Sequence, residues 1–187
     1  MRLLAISGSL RAQSSNGELL LALTRLGAPA IEVEVYDDLG NLPHFNPDLD
    51  GEGAIPAPAV QDLRRAVARA DGIVISSPEY AHGVPGALKN ALDWLVSGPE
   101  IVYKPISLLS TSPRSTHAQA ALAETLHTMS TALVEGACMA LPIAGRGLDA
   151  AAIIGDAELR GRLEGVLTAM QAALPEYQAR RAVLPAS

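Results

Sequence analysis

A cluster of hydroxyl, amide and guanidinium side chains follows the first apolar segment of the chain. It stands immediately before a helical pattern, where free backbone N–H groups and the helix dipole favour a negative charge. Serine and asparagine alone would be ordinary helix caps, but a cap does not require a cation. The arginine therefore favours a phosphate site over simple capping. The predicted phosphate-binding residues are Ser9, Arg11, Ser14, Ser15 and Asn16.

A second polar loop, residues 77–85, follows another buried apolar segment and suits a planar ligand. Gly83 permits a close approach of the backbone, and Pro85 suits the first turn of a helix. Exposed backbone amides can bind the edge of a heterocycle, and Tyr80 can stack on it or line its pocket. The alternative for Tyr80 and His82 is a surface turn without a ligand. The predicted ligand-binding residues of this loop are Pro78, Glu79, Tyr80, Ala81, His82 and Gly83.

The third polar loop, residues 110–117, holds five hydroxyl residues and one arginine. Hydroxyl and guanidinium groups can bind a polar ring edge, a hydroxylated chain or a second phosphate, although a solvated turn is the alternative. Ser110 and Arg114 are the candidates here. Cys138 lies in an apolar stretch, which predicts a core side chain and not a nucleophile. The residues point to no catalytic acid, base or nucleophile and to no metal site.

Predicted strands and helices alternate along the chain, and these elements must position the three loops. Such alternation predicts an α/β three-layer sandwich, a five-stranded parallel sheet with helices on both faces. No GxGxxG sequence follows the first strand, which favours the strand order 2-1-3-4-5, with ligands at the carboxyl ends of the strands. The predicted strands span 2–7, 31–36, 72–77, 105–110 and 137–141; the predicted helices span 19–26, 59–70, 86–96, 118–135 and 156–174, the last ended by Pro175.

Composition limits the function classes. The 187 residues are 49% apolar and 18% charged with a net charge of −6, which excludes intrinsic disorder and argues against a nucleic-acid or anionic-membrane partner. No apolar run reaches the length of a membrane span, and the run that starts the chain is too short for a signal peptide. We expect one cytoplasmic domain over residues 1–187.

Taken together, the first two loops resemble those of the NAD(P)H-dependent FMN reductase family of flavodoxin-like proteins, which includes FMN, quinone, azo-dye and chromate reductases. Residues 6–11 with Ser14 and Asn16 resemble the family's FMN-phosphate loop. Residues 78–94, with Pro-Glu-Tyr, Gly-Ala-Leu-Lys-Asn and Asp-Trp, resemble its isoalloxazine loop and the helix that follows. The long loop 37–58, with Leu42-Pro43 and Asn46-Pro47-Asp48, is also similar to the corresponding loop of the family. The likeness extends to about residue 175.

The resemblance implies a flavodoxin-like fold and an FMN-dependent oxidoreductase. It implies that NADPH or NADH passes a hydride through bound FMN to a small acceptor, namely free flavin, a quinone, an azo compound or a metal oxyanion, with ping-pong kinetics. In the family a second subunit completes the flavin pocket, which implies a homodimer or homotetramer. Trp94, Tyr103 and residues 92–96 are the candidates for the contact surface.

Two departures from the family pattern leave alternatives open. Ala81 stands where the family commonly has Asn, and residues 112–117 replace a glycine-rich loop. One alternative is a flavodoxin-like FMN carrier or redox sensor without enzymatic activity. The chain's few aromatics argue against it, because such carriers usually shield the ring with aromatic side chains. The other alternative is an interaction module that binds no flavin.

Overall fold

The computed structural model describes residues 1–51 and 53–183. Within these residues, six strands form one parallel sheet. The strands are β1 (Arg2–Ser7), β2 (Glu32–Tyr36), β3 (Gly72–Ser76), β4 (Pro105–Ser110), β5 (Ala132–Leu133) and β6 (Met139–Ala140). The strand order is β2-β1-β3-β4-β5, and β6 also pairs with β4, which confirms the predicted order 2-1-3-4-5.

Helices cover both faces of the sheet. They are α1 (Ser15–Gly27), α2 (Pro58–Arg69), α3 (Gly86–Asp93), α4 (Thr116–Thr128), α5 (Ala150–Gly155) and α6 (Ala157–Arg181). Side chains alternate between the faces of a strand, so the central strands feed two cores. Leu4 and Ile6 pack with α2, α3 and α4, whereas Leu3 and Ala5 pack with α1, α5 and α6. This confirms the predicted flavodoxin-like three-layer sandwich.

The fifth strand position departs from the prediction. A single strand over 137–141 and a helix over 118–135 were both wrong, because α4 ends at Thr128 and Ser130 takes a left-handed φ of 57° that stops the helix. Two short pieces, β5 and β6, occupy this position and are separated by a 3-10 turn. Within the gap, Cys138 Sγ accepts a hydrogen bond of 3.3 Å from the Leu108 N–H. Burial raises the pKa of this thiol, which agrees with the predicted packing role.

The C-terminal helix also differs from its prediction. Helix α6 continues through Pro175 to Arg181, although proline removes a hydrogen bond from a helix interior. Tertiary contacts hold the last turns in place. Tyr177 packs on the core, and Arg181 Nη1 donates to the carbonyls of Glu100 and Val102 at 3.0 and 2.7 Å. The short helix α5, which precedes α6, was not predicted.

Most residues of the predicted subunit-contact segment 92–96 are buried in the core. Leu92, Trp94 and Leu95 are buried, and Phe45 packs edge-on against Trp94 with ring centroids 5.1 Å apart. Val96 is the exposed member of this group. Helix α3 ends three residues earlier than predicted, at Asp93. Among the helices of the described residues, none has the length and apolar character needed to cross a membrane.

Candidate functional site

A cleft of about 650 Å³ opens at the carboxyl ends of β1, β3 and β4. Ligands in folds of this class bind at this edge of the sheet, and the volume lies within the usual range for small-molecule sites. The cleft is lined by Ser9, Arg11, Gln13, Ser14, Ser15, Asn16, Glu18, Pro78, Tyr80, Thr111, Ala144, Gly145, Gly147, Leu148 and Asp149. All five predicted phosphate-loop residues therefore meet two of the predicted ring-loop residues, Pro78 and Tyr80, in one cavity.

Serine side chains form local hydrogen bonds that shape the loop between β1 and α1. Ser7 Oγ accepts from the Ser9 N–H at 3.2 Å, and Ser14 caps α1 by accepting from the Asn16 N–H at 3.2 Å. Asn16 Oδ1 accepts a buried hydrogen bond of 2.9 Å from Ser76 Oγ on β3. Asn16 therefore ties the first turn of α1 to the sheet, a structural task that its position in the sequence does not reveal.

The free groups of this loop fit a phosphate. Within the described part of the chain, the backbone N–H groups of Leu10, Ala12, Gln13 and Ser14 donate to no protein acceptor. Arg11 is exposed and forms no ion pair with any described residue. Unpaired N–H donors, a helix N-terminus and a free guanidinium are the groups that bind phosphate oxygens. The loop thus fits the phosphate end of FMN.

Gly8 brings the phosphate loop against the ring loop. Its N–H donates to the Ser76 carbonyl at 2.8 Å. A Cβ atom at this position would lie 2.7 Å from Ser77 Oγ and 3.2 Å from Leu88 Cδ2, so no side chain fits without displacement. Absence of a side chain here lets the ends of β1 and β3 pack closely, and the cleft spans both loops.

The ring loop forms a tight hairpin at its tip. Tyr80 and Gly83 exchange two backbone hydrogen bonds, of 3.2 and 2.9 Å. The two residues between them, Ala81 and His82, have φ of 48° and 59°, the left-handed conformation that a two-residue hairpin of type I′ requires. The turn leaves Tyr80 54% exposed beside the cleft, where its ring is free to contact a ligand.

We expect Ala81→Asn to stabilise the protein by about 0.5–1 kcal/mol, because asparagine tolerates the left-handed region better than alanine. Thermal unfolding followed by circular dichroism measures the change. Ala120→Asn on the exposed face of α4 is the control, and there the poorer helix propensity of asparagine predicts a loss of stability. Equal effects at both positions would contradict the assignment of strain to Ala81.

Glu79 joins the ring loop to the third loop. Its Oε2 accepts from the Ala118 N–H at the start of α4 at 2.9 Å, and its Oε1 pairs with His82 Nδ1 at 3.0 Å. The His82 ring packs edge-on against His117, with centroids 4.6 Å apart. The hydrogen bond from Ala118, reinforced by His82, holds the pKa of Glu79 below its usual range. Glu79 thus positions the hairpin that carries Tyr80.

A depressed folded-state pKa has a defined consequence for stability. The contribution of Glu79 is present above its unfolded pKa of about 4.3 and is lost as the pH falls through the lower folded value. We therefore expect Glu79→Gln to be less stable than wild type at pH 6, and the difference to shrink below about pH 4. Melting temperatures between pH 3 and 7 measure this. A pH-independent difference, or the same curve for Glu124→Gln on the exposed face of α4, would contradict it.

The third loop contributes Thr111 to the cleft wall, and not the predicted Ser110 and Arg114. Thr111 lines the cleft, whereas Ser110 lines a separate apolar cavity of about 390 Å³ between α4 and the edge of the sheet. Ser110 Oγ donates to the Ser112 carbonyl at 2.8 Å, and Arg114 is exposed outside both linings. The structure does not bring Ser110 and Arg114 to the cleft wall; a binding role for them stays a prediction, as it does for Ala81, His82 and Gly83.

Residues 144–149 form a wall of the cleft that sequence reasoning missed. Gly145 and Gly147 have φ of 76° and 66°, and Asp149 caps α5 by accepting from the Ala152 N–H at 2.8 Å. Glu18 Oε2 accepts from the Ala150 N–H at 2.8 Å, which draws this segment against α1. Two glycines followed by an aspartate cap are a signal for a strand-to-helix loop that could have identified it.

Known proteins are similar to this chain in sequence and in fold. The NADPH-dependent FMN reductase family model matches residues 1–144. Over 114 residues the chain is 34% identical to a quinone reductase of Escherichia coli, covering 60% of each. Over 115 residues it is 41% identical to an NADPH:quinone oxidoreductase of Arabidopsis thaliana, covering 59% of this chain and 58% of the relative. The chain thus spans about 60% of the length of these curated relatives.

A solved structure extends the likeness over nearly the whole chain. The flavoenzyme NAD(P)H:(acceptor) oxidoreductase FerB of Paracoccus denitrificans superposes with a TM-score of 0.73 at 26% identity, covering 94% of this chain and 98% of that protein. The family match includes β1, the phosphate loop, the ring loop and the cleft wall as far as Ala144. The chain therefore belongs to the NADPH-dependent FMN reductase family, as the resemblance of its loops predicted.

Proposed function

We propose that this protein is an FMN-dependent oxidoreductase that carries a hydride from NADPH or NADH to a small acceptor. The observation that carries the proposal is the cleft itself. Backbone donors and the Arg11 guanidinium, which have no partner among residues 1–51 and 53–183, lie at one part of its wall, and the exposed ring of Tyr80 lies at another. A phosphate and a planar ring on one molecule match these two parts. The activities by which the relatives are named support the same chemistry.

Different residues of the cleft would hold the phosphate and the ring of FMN. Arg11, Ser9 and Ser15 would bind the phosphate, while Ser14 and Asn16 fix the helix start that presents it. Pro78 and Tyr80 would bind the ring side, and Thr111 also lines the cleft. When bound, FMN supplies the two-electron chemistry that connects donor oxidation with acceptor reduction. The protein supplies position and electrostatics, and hydride transfer itself needs no general acid or base.

The acceptor is a small molecule that reaches an open cleft. A quinone, free flavin, an azo compound and a metal oxyanion all meet this condition. Because donor and acceptor use the same cleft, each excludes the other, and the kinetics are ping-pong. Arg11, Glu18 and Asp149 contribute charged groups to the cleft wall, and Tyr80 contributes an aromatic ring that an apolar acceptor would contact.

Steady-state kinetics tests this proposal. FMN-loaded protein is assayed with NADPH or NADH at several fixed concentrations of a soluble benzoquinone. We expect rapid nucleotide oxidation that depends on added quinone, and parallel lines in double-reciprocal plots. Lines that intersect would reject the ping-pong order. Nucleotide oxidation that added quinone does not accelerate, and that is no faster than with free FMN, would reject the oxidoreductase and favour a flavin carrier.

The proposal includes a homodimer or homotetramer. The candidates for the contact surface are Leu49, Ile55 and Val96, large apolar side chains exposed on the chain, with Ile55 87% exposed. Light scattering coupled to gel filtration at micromolar concentration measures the oligomeric state. A monomer at these concentrations would contradict this part of the proposal.

A further inference from the structure

The edge of the sheet beside α4 is interrupted, and a cavity lies at the interruption. Strand β4 pairs with β5 near its start and with β6 at its end. Between these two pairings the Leu108 N–H donates to Cys138 Sγ and not to a strand carbonyl. Leu108, Cys138 and Met139 line the apolar cavity of about 390 Å³, and Ala123 of α4 lines it from the helix side. The broken fifth strand therefore leaves space between the sheet edge and α4.

The end of β4 separates the apolar cavity from the cleft. Ser110 and Ser112 line the cavity, whereas Thr111, which stands between them in the chain, lines the cleft. This alternation is the one that an extended chain produces, because successive side chains point to opposite faces. Within the described part of the chain, the two linings share no residue. A molecule in the apolar cavity would therefore occupy a different site from one in the cleft.

One hydroxyl group at the apolar cavity lacks a partner. Ser115 lines the cavity, is 7% exposed and precedes α4, yet its side chain caps no N–H group of the helix. Among the described residues its hydroxyl forms no hydrogen bond at all, whereas Ser110 Oγ donates to the Ser112 carbonyl at 2.8 Å. Buried hydroxyl groups nearly always have a hydrogen-bond partner. An oxygen atom of a bound molecule would supply the partner that Ser115 lacks.

The size and charge of the apolar cavity limit the class of ligand. Its volume lies at the lower end of the range for small-molecule sites, and apolar cavities take up aromatic molecules. Among the described lining residues Glu135 is the one that carries a charge. A charged ligand would lose its hydration against apolar walls, and an anion would also be repelled by Glu135. These properties favour an uncharged aromatic ligand.

We propose that the apolar cavity is a second binding site of this protein. It takes an uncharged aromatic molecule whose hydroxyl or carbonyl oxygen forms a hydrogen bond with Ser115. The inference does not rest on the proposed function, because the cavity and the cleft have separate walls.

Isothermal titration calorimetry with 2-naphthol tests this inference. The probe has two fused aromatic rings and one hydroxyl group, and it is uncharged at pH 7. Excess FMN is present, so that the cleft is not open to the probe. We expect saturable binding of one molecule per chain. Ser115→Ala is expected to weaken this binding about three- to tenfold, as the loss of one neutral hydrogen bond does. The anion 2-naphthoate is expected to bind about tenfold more weakly or not at all.

A cavity-filling variant locates the site. Ala123→Leu places a larger side chain in the cavity wall and is expected to abolish measurable binding of 2-naphthol. Ala121→Leu is the matched control, because Ala121 lies on the same helix, is exposed and does not line the cavity. Its affinity for 2-naphthol is expected to equal that of wild type.

Several results would overturn the inference. They are the absence of binding by the wild-type protein, unchanged affinity in Ser115→Ala, and binding that survives in Ala123→Leu. Equal loss of binding in both leucine variants would also overturn it, because the effect would then not belong to the cavity. Thermal unfolding shows whether each variant is folded. If Ala123→Leu is not folded, Ser115→Ala decides the outcome.

Discussion

Replacement of Arg11 by alanine is expected to raise the FMN Kd about 10- to 100-fold, the usual range for one charge-assisted hydrogen bond. Arg11 lines the cleft and has no ionic partner among the described residues, so its guanidinium is available to the phosphate. Titration of the apoprotein with FMN, followed by flavin fluorescence, measures the change. The loss is expected to be smaller at high salt, since an exposed ion pair is screened.

Riboflavin provides a control for the phosphate assignment. It has the same ring and ribityl chain but no phosphate, so Arg11→Ala is expected to leave its affinity unchanged. Arg114→Ala serves as the matched control variant, because Arg114 is exposed and lies outside the cleft wall. An FMN affinity that is unchanged in Arg11→Ala, or that falls equally for riboflavin, would contradict the assignment of Arg11 to the phosphate.

Gly8→Ala is expected to lower the free energy of unfolding by about 2 kcal/mol, as overpacked core positions do. The new Cβ would meet Ser77 Oγ at 2.7 Å, and Ser77 is fully buried. Relief of this contact requires Ser77 Oγ to rotate or the phosphate loop and the ring loop to move apart. We therefore expect FMN affinity to fall together with stability, because the two ends of the cleft no longer keep their spacing.

Gly17→Ala is the control for this prediction. Gly17 lies in the first turn of α1, and a Cβ there would meet only Ser14 Cβ at 3.9 Å. Alanine has the higher helix propensity, so this variant is expected to gain up to about 1 kcal/mol. Urea unfolding of both variants gives the comparison. A Gly8→Ala protein as stable as wild type would show that the two loops are not closely packed.

Much of the site could be predicted from local sequence. The buried strands β1, β3 and β4 read as continuous apolar runs, and each is followed by polar residues at the carboxyl edge of the sheet. The phosphate loop follows from the position of serines and one arginine before a helix. These are short-range signals, and the structure places all five predicted phosphate-loop residues in the cleft wall.

The features that were missed depend on contacts between distant residues. Asn16 bonds to Ser76 across the sheet, and Glu79 accepts from Ala118 on another element, so neither role is visible in the neighbouring sequence. The wall 144–149 reaches the cleft because α5 packs against α1. Pro175 lies within α6 because Arg181 docks beyond it. In each case a tertiary contact decides the outcome where local propensity predicts otherwise.

The departure at Ala81 illustrates the same limit. The family resemblance marks Ala81 as a departure from asparagine. The left-handed φ of 48° at this residue is a conformation that asparagine adopts more readily than alanine. Glu79 attaches the hairpin to the start of α4 by accepting from the Ala118 N–H, and His82 packs on His117 of the same helix. The altered third loop is thus part of the ring loop's support, because its departure from a glycine-rich sequence supplies His117 as a packing partner for His82.

Anaerobic spectroscopy of the wild-type protein tests the central claim most directly. The visible spectrum is recorded with and without added FMN, and NADPH and NADH are then added in turn without oxygen. The account predicts a protein-bound flavin spectrum that bleaches rapidly with at least one nucleotide, and the faster nucleotide is the donor. Bound flavin that neither nucleotide bleaches would contradict the reductase in favour of a carrier or sensor. Absence of binding after FMN is added would contradict the flavin site itself.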